Sequence, residues 1–129
     1  MDKSIDLASL DTAALCEQGA ELELRHPKTD KGMGVFITLV GIDSRTYRKA
    51  RAEMIDLQLA QRGKLDFDER QENTVSVLAA CTTNWRNVVL DGKELPCTPE
   101  NARTLYTRFP WIREQVDAFT SDRGAYLPD

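Results

Sequence analysis

The chain of 129 residues is poor in the residue types that most often build catalytic and metal sites. Its one histidine, His26, precedes Pro27 in a stretch of turn-forming residues. The three cysteines, Cys16, Cys81 and Cys97, are odd in number and widely spaced, which fits reduced cytosolic thiols better than a disulfide framework or a zinc site. Nucleophilic and metal-assisted catalysis need such groups at defined spacings. We therefore predict no catalytic residue, no metal ligand and no cofactor, and a protein that is not an enzyme.

Long apolar runs and an excess of basic residues are also absent. The longest apolar-rich stretch, residues 34–42, is too short for a membrane-spanning helix of about 20 residues. No basic segment followed by an apolar one, as in a secretory signal, begins the chain. Acidic residues outnumber basic ones by 21 to 17, and the net charge of -4 disfavours general binding to nucleic acid. These absences predict a soluble, cytoplasmic protein that binds neither membrane nor nucleic acid.

The patterns that are present begin with one that is typical of β-strands. In residues 20–25 apolar and charged side chains alternate, which places Leu22 and Leu24 on one face. After a connection rich in turn formers, residues 35–40 are mainly β-branched or aromatic. The two segments predict an antiparallel hairpin over about residues 20–41.

After the hairpin, apolar residues recur every three or four positions, as in amphipathic helices. Capping residues, glycines and prolines mark the expected helix ends. The predicted helices cover residues 43–63, residues 66 or 68 to 85, residues 98–109 and a last stretch from Pro110 onward. Gly63 to Asp66 is the predicted turn between the first two of them. A short helix is also predicted near residues 9–19, and residues 86–97 are predicted as a loop or small hairpin.

These elements predict one α+β domain that spans residues 1–129. The domain is mainly helical, with an N-terminal β-hairpin followed by about four helices. Its helical part covers about residues 43–121, and residues 122–129 are predicted to be a mobile tail.

The second strand of the hairpin is apolar on both faces, since Val35 and Ile37 point one way while Phe36 and Val40 point the other. A two-stranded hairpin cannot cover both faces and is marginal in isolation. The cover comes either from the helices and the first segment of the chain, or from a neighbouring subunit. Val35, Phe36, Ile37 and Val40 are therefore candidates for self-association.

Large aromatic side chains in the C-terminal half divide between core and surface. Trp85 closes the apolar stripe of its predicted helix, so we assign it to the core. Trp111 follows a proline break and is offset from the stripe that holds Ile112 and Val116. Trp111 and Phe109 are therefore candidates for contact with a partner, and a structural role for Trp111 stays equally open.

Four basic residues lie within seven positions near the start of the first long helix: Arg45, Arg48, Lys49 and Arg51. Such a cluster contacts nucleic acid or an acidic protein, or it forms a solvated helix face balanced by nearby acidic residues. We favour the solvated face, because no aromatic interleaving or recognition-helix pattern accompanies the cluster.

Motifs that follow one another along most of the chain resemble those of a known family. Near the N-terminus they are IDLASLDT at residues 5–12 and GAELELRHP at residues 19–27; further on they are WRNV at 85–88, LDGKELPC at 90–97, TPENARTLY at 98–106, and PWIREQV at 110–116 with Phe119 beyond. In this order they resemble the tail assembly chaperones of long-tailed siphophages.

The resemblance implies a function that composition does not. It implies a non-enzymatic viral protein of the host cytoplasm, absent from the mature virion, that binds and solubilises the tape measure protein during tail morphogenesis. It also implies a homo-oligomer, and recruitment of the tail tube protein through a longer form made by ribosomal frameshifting. The family offers no catalytic residue to transfer. The alternative is a structural phage protein, such as a head-tail joining or tail-terminator subunit, which would have similar size, acidity and oligomeric habit.

Overall fold

Three strands pair into one antiparallel sheet in the order β1 (Ala20–Arg25), β2 (Gly32–Leu39) and β3 (Thr82–Arg86). They belong to a computed structural model that describes residues 4–60 and 67–128. The sheet and the helices around it form the small α+β domain that the sequence predicts.

The predicted hairpin is confirmed as β1 and β2. Leu22 lies opposite Ile37 in the pairing, and Ala20 lies opposite Leu39. At the far end of β1, the Gln115 side chain bonds both backbone groups of Arg25: Arg25 N donates to Oε1 at 2.8 Å, and Nε2 donates to Arg25 O at 2.8 Å. The Gln115 amide therefore occupies the place that a neighbouring strand would take.

Helices make up most of the remaining described chain. They are α1 (Thr12–Gln18), α2 (Arg45–Ala60), α3 (Phe67–Cys81), α4 (Pro99–Arg108) and α5 (Pro110–Ser121). The predicted turn at residues 63–66, between α2 and α3, lies outside the described residues.

The predicted start of α4 is confirmed in detail. Thr98 is extended, and its Oγ1 accepts a hydrogen bond from Asn101 N at 3.1 Å. Pro99 occupies the first helical position, where its missing N–H costs nothing. Pro110 likewise occupies the first position of α5, and Phe109 before it has non-helical backbone angles, although α5 has no side-chain cap.

The prediction that the helix before Trp85 continues to that residue is wrong. α3 ends at Cys81, and the following five residues form β3 along the free edge of β2, with Trp85 opposite Ile37. The Thr82 hydroxyl donates a hydrogen bond to Leu78 O at 2.9 Å. The Tyr106 hydroxyl lies 2.6 Å from Thr82 Oγ1, within hydrogen-bonding distance. Thr82 therefore caps the end of α3, and strand pairing satisfies backbone groups of β2 that would otherwise stay open.

One face of the sheet carries the core. Ile37 and Leu39 of β2 are fully buried there. The other buried members of the cluster come from β1, α3, β3, α4, α5 and the loop after β3: Leu24, Val75, Leu78, Ala79, Trp85, Val88, Ala102, Leu105, Tyr106, Ile112 and Val116. The helices α3, α4 and α5 thus supply the cover that the two-faced strand requires on this side.

The predicted mobile tail is docked instead. Residues Arg123–Tyr126 form a 3₁₀ turn, and the Tyr126 side chain is buried beside the Phe119 ring. Arg123 Nε and Nη2 donate to the Asp43 carboxylate at 2.6 and 2.9 Å, and Thr12 Oγ1 donates to the same group at 2.7 Å. No local sequence pattern predicts the ion pair, because Asp43 and Arg123 are 80 residues apart along the chain.

The Asp43 contact predicts a pH-dependent stability. Hydrogen bonds from Arg123 and Thr12 lower the pKa of Asp43 to about 2, below its ordinary value of 3.8. The contribution of the ionised carboxylate is therefore complete above about pH 4 and is lost as the pH falls toward 2. We expect Asp43→Asn to lower the free energy of unfolding by about 1 kcal/mol at pH 7 and by much less near pH 2.

Urea unfolding at both pH values measures this difference. Asp91→Asn is the matched control, because Asp91 forms a more exposed ion pair with Arg108 and should contribute less. An equal loss for Asp43→Asn at pH 7 and pH 2 would contradict the assignment.

An apolar groove as candidate binding site

An open apolar groove of about 210 Å³ lies beside the core, next to the end of the hairpin. The hairpin contributes three of its lining residues, and the rest come from the chain after β3 and from the junction of α4 and α5. They are Leu24, Met33, Val35, Val88, Val89, Leu90, Leu105, Phe109, Trp111 and Ile112. We call this feature the groove.

One wall of the groove is a short second hairpin. Its strands are β4 (Val89–Leu90) and β5 (Lys93–Glu94), and they confirm the small hairpin that was one of two predictions for this region. Asp91 and Gly92 between them both have positive φ, 53° and 80°. An Asp-Gly pair with two positive φ angles is favoured in a tight two-residue hairpin turn. The turn leaves Val89 64% exposed at the mouth of the groove.

The opposite wall is built by the break between α4 and α5. Because Pro110 keeps Phe109 out of the helix, the Phe109 and Trp111 rings meet edge to face, with centroids 6.3 Å apart. Both side chains are partly buried against the core and leave part of their surface in the groove. The same two residues therefore pack against the core and also line the groove.

Charged groups fix the rim of the groove. Arg108 at the end of α4 bonds the Asp91 carboxylate with two nitrogens, at 3.0 and 3.3 Å, and this hydrogen bonding lowers the pKa of Asp91. The Arg108 guanidinium also lies 5.2 Å from the centre of the Phe109 ring. Arg113, next to Ile112, donates to Tyr106 O at 3.0 Å. The ion pair between Arg108 and Asp91 ties the small hairpin to the end of α4.

The structure places the predicted self-association residues in three environments. Val35 lines the groove, together with the predicted partner-contact residues Phe109 and Trp111. Ile37 is fully buried and Val40 is 4% exposed, so both belong to the core of the chain itself.

Phe36 lies on the other face of the sheet, where the charged side chain of Arg86 covers its ring. The Arg86 guanidinium lies 3.8 Å from the centre of the Phe36 ring and donates two hydrogen bonds to Glu21, both at 3.0 Å. One arginine of β3 thus reaches across β2 to β1, and Phe36 stays half-buried beneath it. Of the four candidates, Val35 and Phe36 therefore keep surface for a partner.

Sequence reasoning missed Met33, Val89 and Leu90 as members of the groove. The Asp-Gly turn predicted a possible hairpin, but nothing in the local pattern indicates which surface that hairpin faces. Met33 falls in the turn-rich connection of the predicted first hairpin, whereas β2 begins at Gly32 and carries Met33 to the mouth of the groove.

Other predicted features lie apart from the groove. The four basic residues of α2 are exposed, in line with a solvated helix face. His26 is exposed, and its Nδ1 accepts a hydrogen bond from Lys28 N at 3.1 Å within the turn.

Burial raises the pKa of the Cys81 thiol to about 12, so this cysteine stays protonated at neutral pH. Residues 4–60 and 67–128 contain no group of three or more His, Cys, Asp or Glu side chains placed to hold a metal ion.

Comparisons with family models, with curated proteins and with solved structures give no match for the chain. Within the described part of the chain, no helix has the length and apolar character needed to span a membrane. The function is therefore inferred from the groove and from the motifs in the sequence.

The placement of Ile37 in the core and of Val35 beside the groove can be tested by measuring the stability of variants at the two positions. We expect Ile37→Ala to lower the free energy of unfolding by about 3 kcal/mol, because it leaves a cavity in a closed core. Val35→Ala should cost less, since the Val35 side chain borders an open groove. Urea unfolding of the two variants measures the difference, and equal losses would contradict the placement of these residues.

Proposed function

We propose that the chain is a non-enzymatic phage tail assembly chaperone that binds the tape measure protein in the groove. The observation that carries the proposal is the meeting of Val35, Phe109 and Trp111 in one open apolar surface. The resemblance of the motifs to tail assembly chaperones supplies the identity of the client. The proposal includes recruitment of tail tube subunits, by a frameshifted longer form, and action in the host cytoplasm without entry into the mature virion.

The size of the groove supports a protein client. Pockets for drug-sized ligands usually occupy about 300–1,000 Å³, whereas this groove offers about 210 Å³. A space of this size suits one or two apolar side chains. Met33 is 41% exposed, and its flexible side chain adapts to different apolar partners. Trp111 is partly buried and belongs to a residue type that is enriched at binding hot spots.

The expected client provides such side chains many times over. A tape measure protein is long and largely helical, and its apolar faces favour aggregation until the tail tube covers them. One small groove binds weakly, but many copies along one long client hold it together through multivalency. Weak individual contacts also allow tube subunits to replace the chaperone during assembly.

Copurification with the tape measure protein of the same phage tests the proposal. We expect Val89→Asp to reduce capture at least about tenfold, because it places a charge at the mouth of the groove without disturbing the core. Trp111→Ala should reduce capture similarly by removing the largest apolar side chain of the groove.

Leu59→Asp is the matched control, because Leu59 is 70% exposed on α2 and lies outside the groove. Circular dichroism of each variant confirms that the helices are retained. Full capture of the tape measure protein by both groove variants would refute the assigned site, and absence of capture by the unmodified chain would refute the proposed client.

The protein content of purified virions distinguishes the proposed chaperone from the alternative, a structural subunit of the virion. A chaperone should be missing from purified particles, whereas a head-tail joining or terminator subunit should be present in a fixed copy number. Quantitative mass spectrometry of purified particles makes this distinction.

A further inference from the structure

The chain after α5 folds back over a buried thiol. Residues 122–126 turn against α1 and against the segment before α2, and Asp122 Oδ1 fixes the turn by accepting a hydrogen bond from Gly124 N at 3.0 Å. Cys16 is the buried residue of α1, and its free thiol is fully covered. We call residues 122–126 the latch.

Gly41 brings the aromatic ring of the latch and this thiol together. A side-chain carbon at position 41 would lie 2.5 Å from Cys16 Sγ and 2.8 Å from Tyr126 Cε2, so both groups pack against the bare backbone of the glycine. Gly41 N also donates a hydrogen bond to Cys16 O at 3.0 Å. The Phe119 ring lies beside the Tyr126 ring, with centroids 5.4 Å apart. The Tyr126 ring is therefore part of the cover that keeps the Cys16 thiol from solvent.

The latch has an unpaired polar group at its most buried residue. Tyr126 is 6% exposed, yet its hydroxyl is buried and has no hydrogen-bond partner within the described chain. A buried hydroxyl without a partner loses the hydrogen bonds that it makes to water, and it regains them when the segment opens. The closed position is therefore weakened at the residue that anchors it.

The second attachment of the latch is reversible as well. Arg123 holds the Asp43 carboxylate, but the Arg123 side chain is 58% exposed, and ion pairs open to solvent contribute little to stability. In residues 4–60 and 67–128, no backbone hydrogen bond joins residues 123–126 to α1 or to the segment before α2. Opening of the latch therefore breaks no strand pairing.

The latch and the thiol also lie outside the main core. The cluster of buried residues between the sheet and the helices α3, α4 and α5 includes neither Cys16 nor Tyr126. Segments with few core contacts open at a lower free energy than global unfolding requires. We propose that the latch opens while the rest of the domain stays folded, and that its opening exposes the Cys16 thiol to reagents in solution. Cys16 is then a modification site that the closed latch protects.

The rate at which Cys16 of the full-length protein reacts with N-ethylmaleimide tests the proposal. The reagent adds the thiol across its double bond and releases no group, and mass spectrometry of peptides separates Cys16 from Cys81 and Cys97. If only global unfolding exposed Cys16, its rate would equal that of an unfolded peptide multiplied by the unfolding constant from urea titration. We expect Cys16 to react at least about tenfold faster than this value.

Two variants of similar stability separate local opening from global unfolding. Arg123→Ala removes a contact of the closed latch, so the reaction of Cys16 should become about fivefold faster. Ile37→Val raises the global unfolding constant by a similar factor of about five, because it removes one methylene group from the closed core. Ile37 stays buried when the latch alone opens, so this variant should change the Cys16 rate by less than about twofold.

Tyr126→Phe tests the unpaired hydroxyl. The variant keeps the ring and removes the hydroxyl, so the closed latch becomes more stable and Cys16 should react about fivefold more slowly. A faster reaction would mean that the hydroxyl stabilises the closed latch, against the inference. Arg108→Ala is the matched control, because it breaks an exposed ion pair with Asp91 outside the latch and should leave the rate unchanged.

Three outcomes would overturn the proposal. The first is a Cys16 rate equal to the rate expected from global unfolding. The second is equal acceleration by Arg123→Ala and Ile37→Val, because both variants then act through unfolding of the whole domain. The third is a fast reaction that Arg123→Ala does not accelerate, which would mean that movement of α1, rather than release of the latch, exposes the thiol. The reaction contains no tape measure protein, so its outcome is independent of the proposed function.

Discussion

Pairing of β3 with the second edge of β2 is the contact on which the rest of the structure depends. It joins residues more than 40 positions apart, from Thr38 to Asn84, and sets Trp85 opposite Ile37. Trp85 Nε1 then donates to Leu95 O at 2.7 Å, which fixes the path of the chain after β3. That path carries Val89 and Leu90 to the hairpin and Thr98 to the start of α4. Without the pairing, neither the small hairpin nor the α4 and α5 pair would have a defined place beside β2.

Local sequence patterns predicted those elements whose formation depends on interactions within a few residues of the chain. The alternation in residues 20–25, the Thr98 cap and the Pro110 break each act within a few residues, and each is confirmed. The end of α3 was missed because the helical stripe continues through Thr82 while long-range pairing favours a strand there. The docked C-terminus was missed for the same reason, since it depends on Asp43.

The groove shows how far a candidate site can be predicted from sequence. Val35, Phe109 and Trp111 were singled out because each is apolar where its own element offers no cover. Their assembly into one surface depends on four separate stretches of chain, and no periodicity within a stretch encodes that arrangement. Conversely, Ile37 and Phe36 look alike in the sequence, but pairing with β3 buries the first and lets Arg86 cover the second.

The Gln115 amide at the end of β1 has a consequence for the open edge of the sheet. An open strand edge recruits any extended chain, with little regard for its sequence, through backbone hydrogen bonds. By bonding both backbone groups of Arg25, Gln115 removes that opportunity where the edge strand ends near the groove. Encounters at this corner of the molecule are left to side chains, whose contacts are selective and reversible. This end of the edge strand is therefore closed to the backbone pairing from which amyloid-like growth starts.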